Sequence, residues 1–466
     1  MVKTLIIVGT IYVGILAFFT LSTRTTEKDS ASYFMAGSNL GSLLGLFTFA
    51  ATLFSTFTLL GMPDFFRVHG VGAWIFLAVS DIVMVFGLLW IGHYLRKKTQ
   101  GHQYLGMAGF MQRCFQSRLA GIVAFAGAFI FLIPYVAIQI RGVSFFLQQA
   151  FENSPPLWVY AICIVAIMLI YSEIGGLKAI IYSDVLQGIV LLVVIWIIGF
   201  LCLQEVGGIK EMFTQISEQN EALLSTPGPK GLFDFQFLFG SMVAICMIPF
   251  TQPQVSTRLI IMKDTRALFR TAIGLGSFAI LVILPTVFLG MYGAIKYPDA
   301  TTPEFLGNTL IHDQPGVLGA FVIIGLVAAA ISTADSQIFS LGGETRSLLK
   351  GEDKEMVKIA RLAIGLFALL ALGFAILSSD ELVLLARASF AGTSLLAPMI
   401  FTGIFYDNSA KIRLLPILTL IAIVTLVCAN LGLISTSLGG IRLDLILLGA
   451  LSIYAVVAIQ VDKLSS

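Results

Sequence analysis

The chain has 466 residues, of which 58% are hydrophobic and 12% charged, with a mean hydropathy of +0.95; a soluble protein carries about 25% charged residues. No water-soluble fold hides that much apolar surface, and at roughly 20 apolar residues per helical crossing the chain supplies about a dozen membrane helices with little left for a domain outside the bilayer. A net charge of +2 gives no support for a nucleic-acid partner, and Cys114, Cys163, Cys202, Cys246 and Cys428, scattered through apolar runs, suggest neither a disulfide framework nor a metal cluster.

Apolar runs bounded by charge or by Gly/Pro punctuation predict thirteen crossings, near 4–22, 43–63, 73–93, 119–148, 157–174, 182–203, 235–250, 271–295, 316–340, 360–378, 382–405, 414–435 and 443–460. The first run is read as a helix, because no small-residue cleavage site follows it before Arg24. Twenty Lys and Arg, among them Arg96, Lys97, Lys98, Arg258, Lys263 and Arg361, fall in one set of alternate segments and six in the other. Positive charge stays in the cytoplasm, so the N-terminus is expected outside and the C-terminus inside. The long outer segment near 204–234, with Glu205, Glu211, Glu218, Glu221 and Asp234, reads as a solvated lid.

Ionisable groups at membrane depth are costly and therefore functional candidates. Asp81, Arg141, Asp184, Asp335 and Arg387 stand out; for each, a buried ion pair or a helix-end position is the plainer alternative. Ser332, Asp335 and Ser336 share one helix face by their spacing, a row of oxygens suited to a hard cation, and Ala328 to Ala330 let a neighbouring backbone approach. Ala51 to Thr58 is crowded with hydroxyls and followed by Gly61 and Pro63, which predicts an interrupted helix. A comparable weak point has Gly240-Ser241 inside the seventh crossing and Pro249 and Pro253 at its end. Interrupted helices at matching places in two halves point to the midplane site of a secondary transporter.

Three patches then carry a resemblance. Ser172-Glu173-Ile174-Gly175-Gly176-Leu177-Lys178-Ala179, continuing through Asp184 to Gln187, together with Tyr33 to Gly37 and Ala330 to Gln337, resembles the sodium:solute symporter family. The resemblance implies an all-α polytopic membrane protein with a LeuT-like core of five plus five helices in inverted repeat. Residues 43–203 would form the first repeat and 235–405 the second, with 1–42, an external loop at 204–234 and two extra helices in 406–466. It implies alternating access, with sodium as the coupling ion and membrane lipid around the chain in a bacterial inner membrane; no obligate protein partner is evident. The main sodium site would use the carbonyls of Ala51, Phe54 and Ala329 and the hydroxyls of Ser332 and Thr333. A second cation or proton site would use Asp184, Asp335 and Ser336 with Ser332. Solute would lie among Ser55, Thr58, Ser80, Asp81, Gln139, Arg141, Ser241 and Met242, beside Phe57 and Tyr135. Mostly hydroxyl and apolar groups argue against a polyol, and the planar fork of Arg141 suits a carboxylate, so a monocarboxylate or an amino acid such as proline is expected. Arg141 paired with an outer acid such as Glu152 is the alternative.

An enzyme is disfavoured, because His69, His93, His102 and His312 are dispersed and no metal-ligand spacing or phosphate loop occurs. A channel, a transporter-like sensor and a proton-coupled carrier of the same fold are the other readings.

Overall fold

The computed structural model describes residues 2–22, 30–36, 38–100, 104–151 and 154–465. Arg24, Lys28, Gly37, His102 and Glu152 lie outside the described residues, as do the side chains of Ser172 and Glu173. Apart from one hairpin pairing Ser437–Leu438 with Ile441–Arg442, the described residues form helices and their connections.

Among the described residues, seven helices are long and apolar enough to cross a membrane: Ile75–Thr99, Arg118–Ala150, Gly176–Glu205, Thr265–Lys296, Gly316–Leu348, Asp353–Leu377 and Leu443–Ser465. Three further pairs qualify as bent spans, Ser42–Leu53 with Phe57–His69, Phe235–Thr251 with Pro253–Ile261, and Leu382–Ser394 with Ala397–Phe405. Shorter apolar helices, Lys3–Phe19, Leu157–Ile170 and Leu414–Asn430, occupy the remaining apolar runs. The chain is a multi-pass membrane protein.

The two sharpest bends have the same local geometry. Phe54, with φ −100° and ψ 113°, turns the first broken helix by 55°; Gln252, with φ −105° and ψ 118°, turns the second by 54°. Their causes differ. At the first, the Ser55 N–H donates to the Thr58 hydroxyl at 3.2 Å, a side-chain acceptor taking the place of the Ala51 carbonyl. At the second, Pro253 brings no N–H and pushes the residue before it out of the helical region. The break therefore falls at Gln252, whereas Gly240-Ser241 lies inside an unbroken helix. A single glycine costs a helix about 1 kcal/mol and a proline about 3, so the proline decides.

Two glycines permit close approaches. Gly176, at φ 59°, interrupts the helical run Leu157–Glu205, and a β-carbon there would meet the Tyr33 carbonyl and ring at 3.1 Å. The Gly-Gly-Leu turn is thus built against the Tyr33 segment, joining two of the sequence patches. A β-carbon at Gly142 would stand 2.4 Å from the Thr56 methyl, so Arg118–Ala150 passes hard against the first break. At the centre, Gly316–Leu348 packs on Leu157–Glu205 and Arg118–Ala150, and its Ala328, Ala329 and Ala330 are buried. Long apolar side chains such as Leu362, Leu366 and Leu369 are left on the outside, where lipid would cover them.

Candidate functional site

The first break and the Gly316–Leu348 helix meet face to face. The Ala51 carbonyl, released from its helical partner, accepts from the Ser332 hydroxyl at 3.2 Å and the Thr333 hydroxyl at 2.9 Å. Ala329 lies one turn earlier on the same helix, and Phe54 caps the half-helix that carries Ala51. All five residues are buried. The site therefore brings together one carbonyl and two hydroxyls from two elements, with the Phe54 and Ala329 residues alongside. Neutral oxygens of this kind suit a hard monovalent cation, which needs lone pairs more than full charges.

Beside it is a fully buried ion pair. Arg258, on the second half of the second broken helix, donates through Nη2 to Asp184 Oδ2 at 3.0 Å. Its side chain is 1% exposed and that of Asp184 is wholly buried. The guanidinium also donates to the Thr48 hydroxyl at 2.8 Å, to the Ser336 hydroxyl at 2.8 Å and to the Gln254 carbonyl at 2.8 Å. Asp184 accepts in addition from the hydroxyls of Thr48 and Ser332. One carboxylate thus connects both broken helices, the helix after Gly176 and a hydroxyl of the neutral-oxygen site.

Of the expected second-site residues, Asp184 and Ser336 meet at this guanidinium, and Ser332 joins them by donating to Asp184. Asp335, 1% exposed, leaves Oδ2 without a hydrogen-bond partner. Sequence reasoning missed Arg258, counting it with the charges of an inner loop. The available signal was its place four residues after Gln254 on a segment rich in hydroxyls.

A narrow cavity lies on the far side of the first break. Leu53, Phe54, Phe57, Met62, Leu77, Asp81, Tyr135, Ile245, Ile248 and Phe390 line its roughly 20 Å³, room for about one water-sized group. A second cavity of about 330 Å³ is lined by Gly61, Asp64, Arg67, Asp380 and Val383, among others.

Of the expected solute residues, Asp81 is in the cavity wall, with the aromatic neighbours Phe57 and Tyr135. The others do not line it. The Ser55 hydroxyl accepts from the Phe57 N–H at 3.3 Å, and Thr58 accepts from Ser55. Ser80 donates to the Ile75 carbonyl at 3.3 Å, and Gln139 donates to the Tyr135 carbonyl at 3.3 Å. Ser241 accepts from Arg387, which also pairs with Asp444 at 3.0 Å, and Met242 is half-buried next to Ser241. Arg141 pairs with Asp380 at 2.8 Å and donates to the carbonyls of Ala375 and Ile376.

The sodium:solute symporter family matches residues 33–411. A high-affinity proline transporter of Bacillus subtilis is 23% identical over 87% of this chain and 88% of its own. A sodium/pantothenate symporter of Haemophilus influenzae is 24% identical over 69% and 66%. Among solved structures, a sodium-coupled sialic acid symporter in a substrate-bound outward-open state superposes with a TM-score of 0.79 at 16% identity, covering 98% of this chain and 96% of that one. The all-helical arrangement is the LeuT-like one that the three sequence patches implied. The chain belongs to the sodium:solute symporter family, and sodium is the ion to which its solute transport is coupled.

Proposed function

We propose that this symporter imports a small, partly apolar organic solute by alternating access. In this reading thirteen helices cross the bilayer, with the N-terminus outside and the C-terminus inside. The core comprises residues 43–203 and 235–405, flanked by 1–42 and 406–466, with 204–234 as the external loop. Sodium is held by the Ala51, Phe54 and Ala329 carbonyls and the Ser332 and Thr333 hydroxyls.

The observation that carries the reading is the break at Phe54. It frees the Ala51 carbonyl toward Ser332 and Thr333 on one side and lines the cavity of Asp81 and Tyr135 on the other. A cation that fixes this bend also fixes one wall of the solute site, which is how sodium favours the solute-binding form. The cavity is contracted, so solute entry requires the surrounding helices to part, as rocking of one helix group against another provides. An amino acid fits this site better than a bare monocarboxylate, because Arg141 already serves Asp380 and two carbonyls.

The test is uptake into proteoliposomes of proline, other amino acids, short monocarboxylates, pantothenate, sialic acid and sugars, under an inward sodium gradient, an inward proton gradient, or neither. Accumulation under the sodium gradient alone is expected, and equal accumulation without sodium would defeat the reading. The buried Asp335 with its unpartnered Oδ2 favours a second reading, in which that carboxylate carries a proton or a second cation. Accumulation driven by protons and lost in Asp335→Asn would establish it.

A further inference from the structure

Asp81 is an anomaly in its surroundings. It sits in the first turn of Ser80–Thr99, among Leu53, Leu77, Ile245 and Ile248. Among the described residues its half-buried side chain makes no ion pair and no hydrogen bond. The two arginines that the sequence places at membrane depth are spent elsewhere, Arg141 on Asp380 and Arg387 on Asp444 and Ser241. A carboxylate half-buried against an apolar wall is unfavourable unless a polar or charged group meets it, and among the described residues no cationic side chain pairs with it.

The rest of the wall narrows what could meet it. Phe54, Phe57, Tyr135 and Phe390 surround the same cavity. Phe390 meets Tyr135 edge-on, with ring centroids 5.0 Å apart and planes at 85°, and Phe57 at 6.4 Å and 79°. Aromatic rings lining a small cavity attract a cation by the quadrupoles of their faces. A polyol would leave most of its hydroxyls unsatisfied against such a lining. A monocarboxylate would be repelled by Asp81 and would find no cationic side chain there.

From these observations we infer that the transported solute carries an ammonium group, primary, secondary or quaternary, which pairs with Asp81 inside the cage of Phe54, Phe57, Tyr135 and Phe390. This rests on the cavity being the solute site of the proposed symporter and names the chemical class it selects. A zwitterionic amino acid and a simple organic cation share that ammonium group. The cavity wall has no cationic partner for a carboxylate, so a zwitterion would place its carboxylate toward the unwound backbone around Ser55 and Thr56.

The experiment is equilibrium binding to purified protein in sodium, using radiolabelled L-proline, choline and propionate, with sodium-22 binding measured separately on the same preparations. L-proline or choline is expected to bind and propionate is not. Asp81→Asn should lose about 10- to 100-fold in affinity for the ammonium probe, the range for removing a charged partner, with sodium-22 binding retained. Asp81→Glu should recover part of the loss. Propionate binding at least as tight as L-proline and choline, or an Asp81→Asn variant that binds the ammonium probe as the wild type does, would overturn the inference and leave the symporter reading standing. Failure of both ammonium probes to bind overturns it as well, and if the wild type also fails to bind sodium-22 the symporter reading falls with it.

Discussion

Asp184→Asn and Arg258→Met should each lower thermal stability sharply, while the double variant recovers much of the loss. The pair is sealed from solvent, with side-chain exposures of 0% and 1%. Removing one partner strands the other as a bare charge in the core, at about 3–5 kcal/mol. Removing both charges strands none. Arg258 keeps a cost of its own, because Thr48, Ser336 and the Gln254 carbonyl lose their donor along with Asp184, so recovery in the double variant should be incomplete. Unfolding temperatures of the four proteins in one detergent check this, and the informative quantity is the order. A double variant less stable than both singles would mean that the two side chains act independently and that the buried pair does not organise this region. Sodium binding adds a second readout. Asp184 holds the Ser332 hydroxyl, so Asp184→Asn should also weaken sodium, whereas a substitution acting on the core alone would leave it unchanged.

The sequence showed clearly where the backbone is weak, because weakness is local. Hydroxyls that compete for backbone N–H groups cluster between Ala51 and Thr58, and the Ser55 N–H does bond to the Thr58 hydroxyl. Pro249 and Pro253 announced the second break. Gly240-Ser241 looked equally weak in the sequence, but the break falls at Gln252 beside Pro253, because a proline removes a hydrogen bond outright. The Asp184–Arg258 pair was not legible, for a physical reason. Gln252, Gln254, Ser256, Thr257 and Arg258 have the composition of an aqueous loop, yet all are buried. The second half of the broken helix lies inside protein, where polar side chains find polar partners, and hydropathy alone cannot separate that environment from water. The same limit hid the partners of Arg141 and Arg387. Both were recognisable as arginines at membrane depth, but Asp380 and Asp444 lie far along the chain, and no spacing rule connects such positions.

The double substitution Ser332→Ala/Thr333→Ala should abolish the response to sodium and leave the fold nearly intact. Each hydroxyl removed from a cation costs about 1.5–3 kcal/mol, so the pair together should weaken sodium at least about 100-fold, allowing for non-additivity between neighbours. The structural loss is smaller. The two hydroxyls donate to the Ala51 carbonyl and to Asp184, and Asp184 retains Arg258 and Thr48. Sodium at about 100 times its dissociation constant stabilises a folded protein by about 2.7 kcal/mol, and a 100-fold weaker site would give up most of that at the same concentration. The measurement is the rise in unfolding temperature on replacing potassium by sodium at constant ionic strength. Wild type should show it, the double variant should not, and both should unfold within a few degrees of each other in potassium. A sodium-induced rise preserved in the double variant would place the ion elsewhere, and Asp335 would then be the next carboxylate to replace. An equal fall in both salts would mean that the two hydroxyls matter for packing alone, and coupling through the Phe54 break would lose its physical basis.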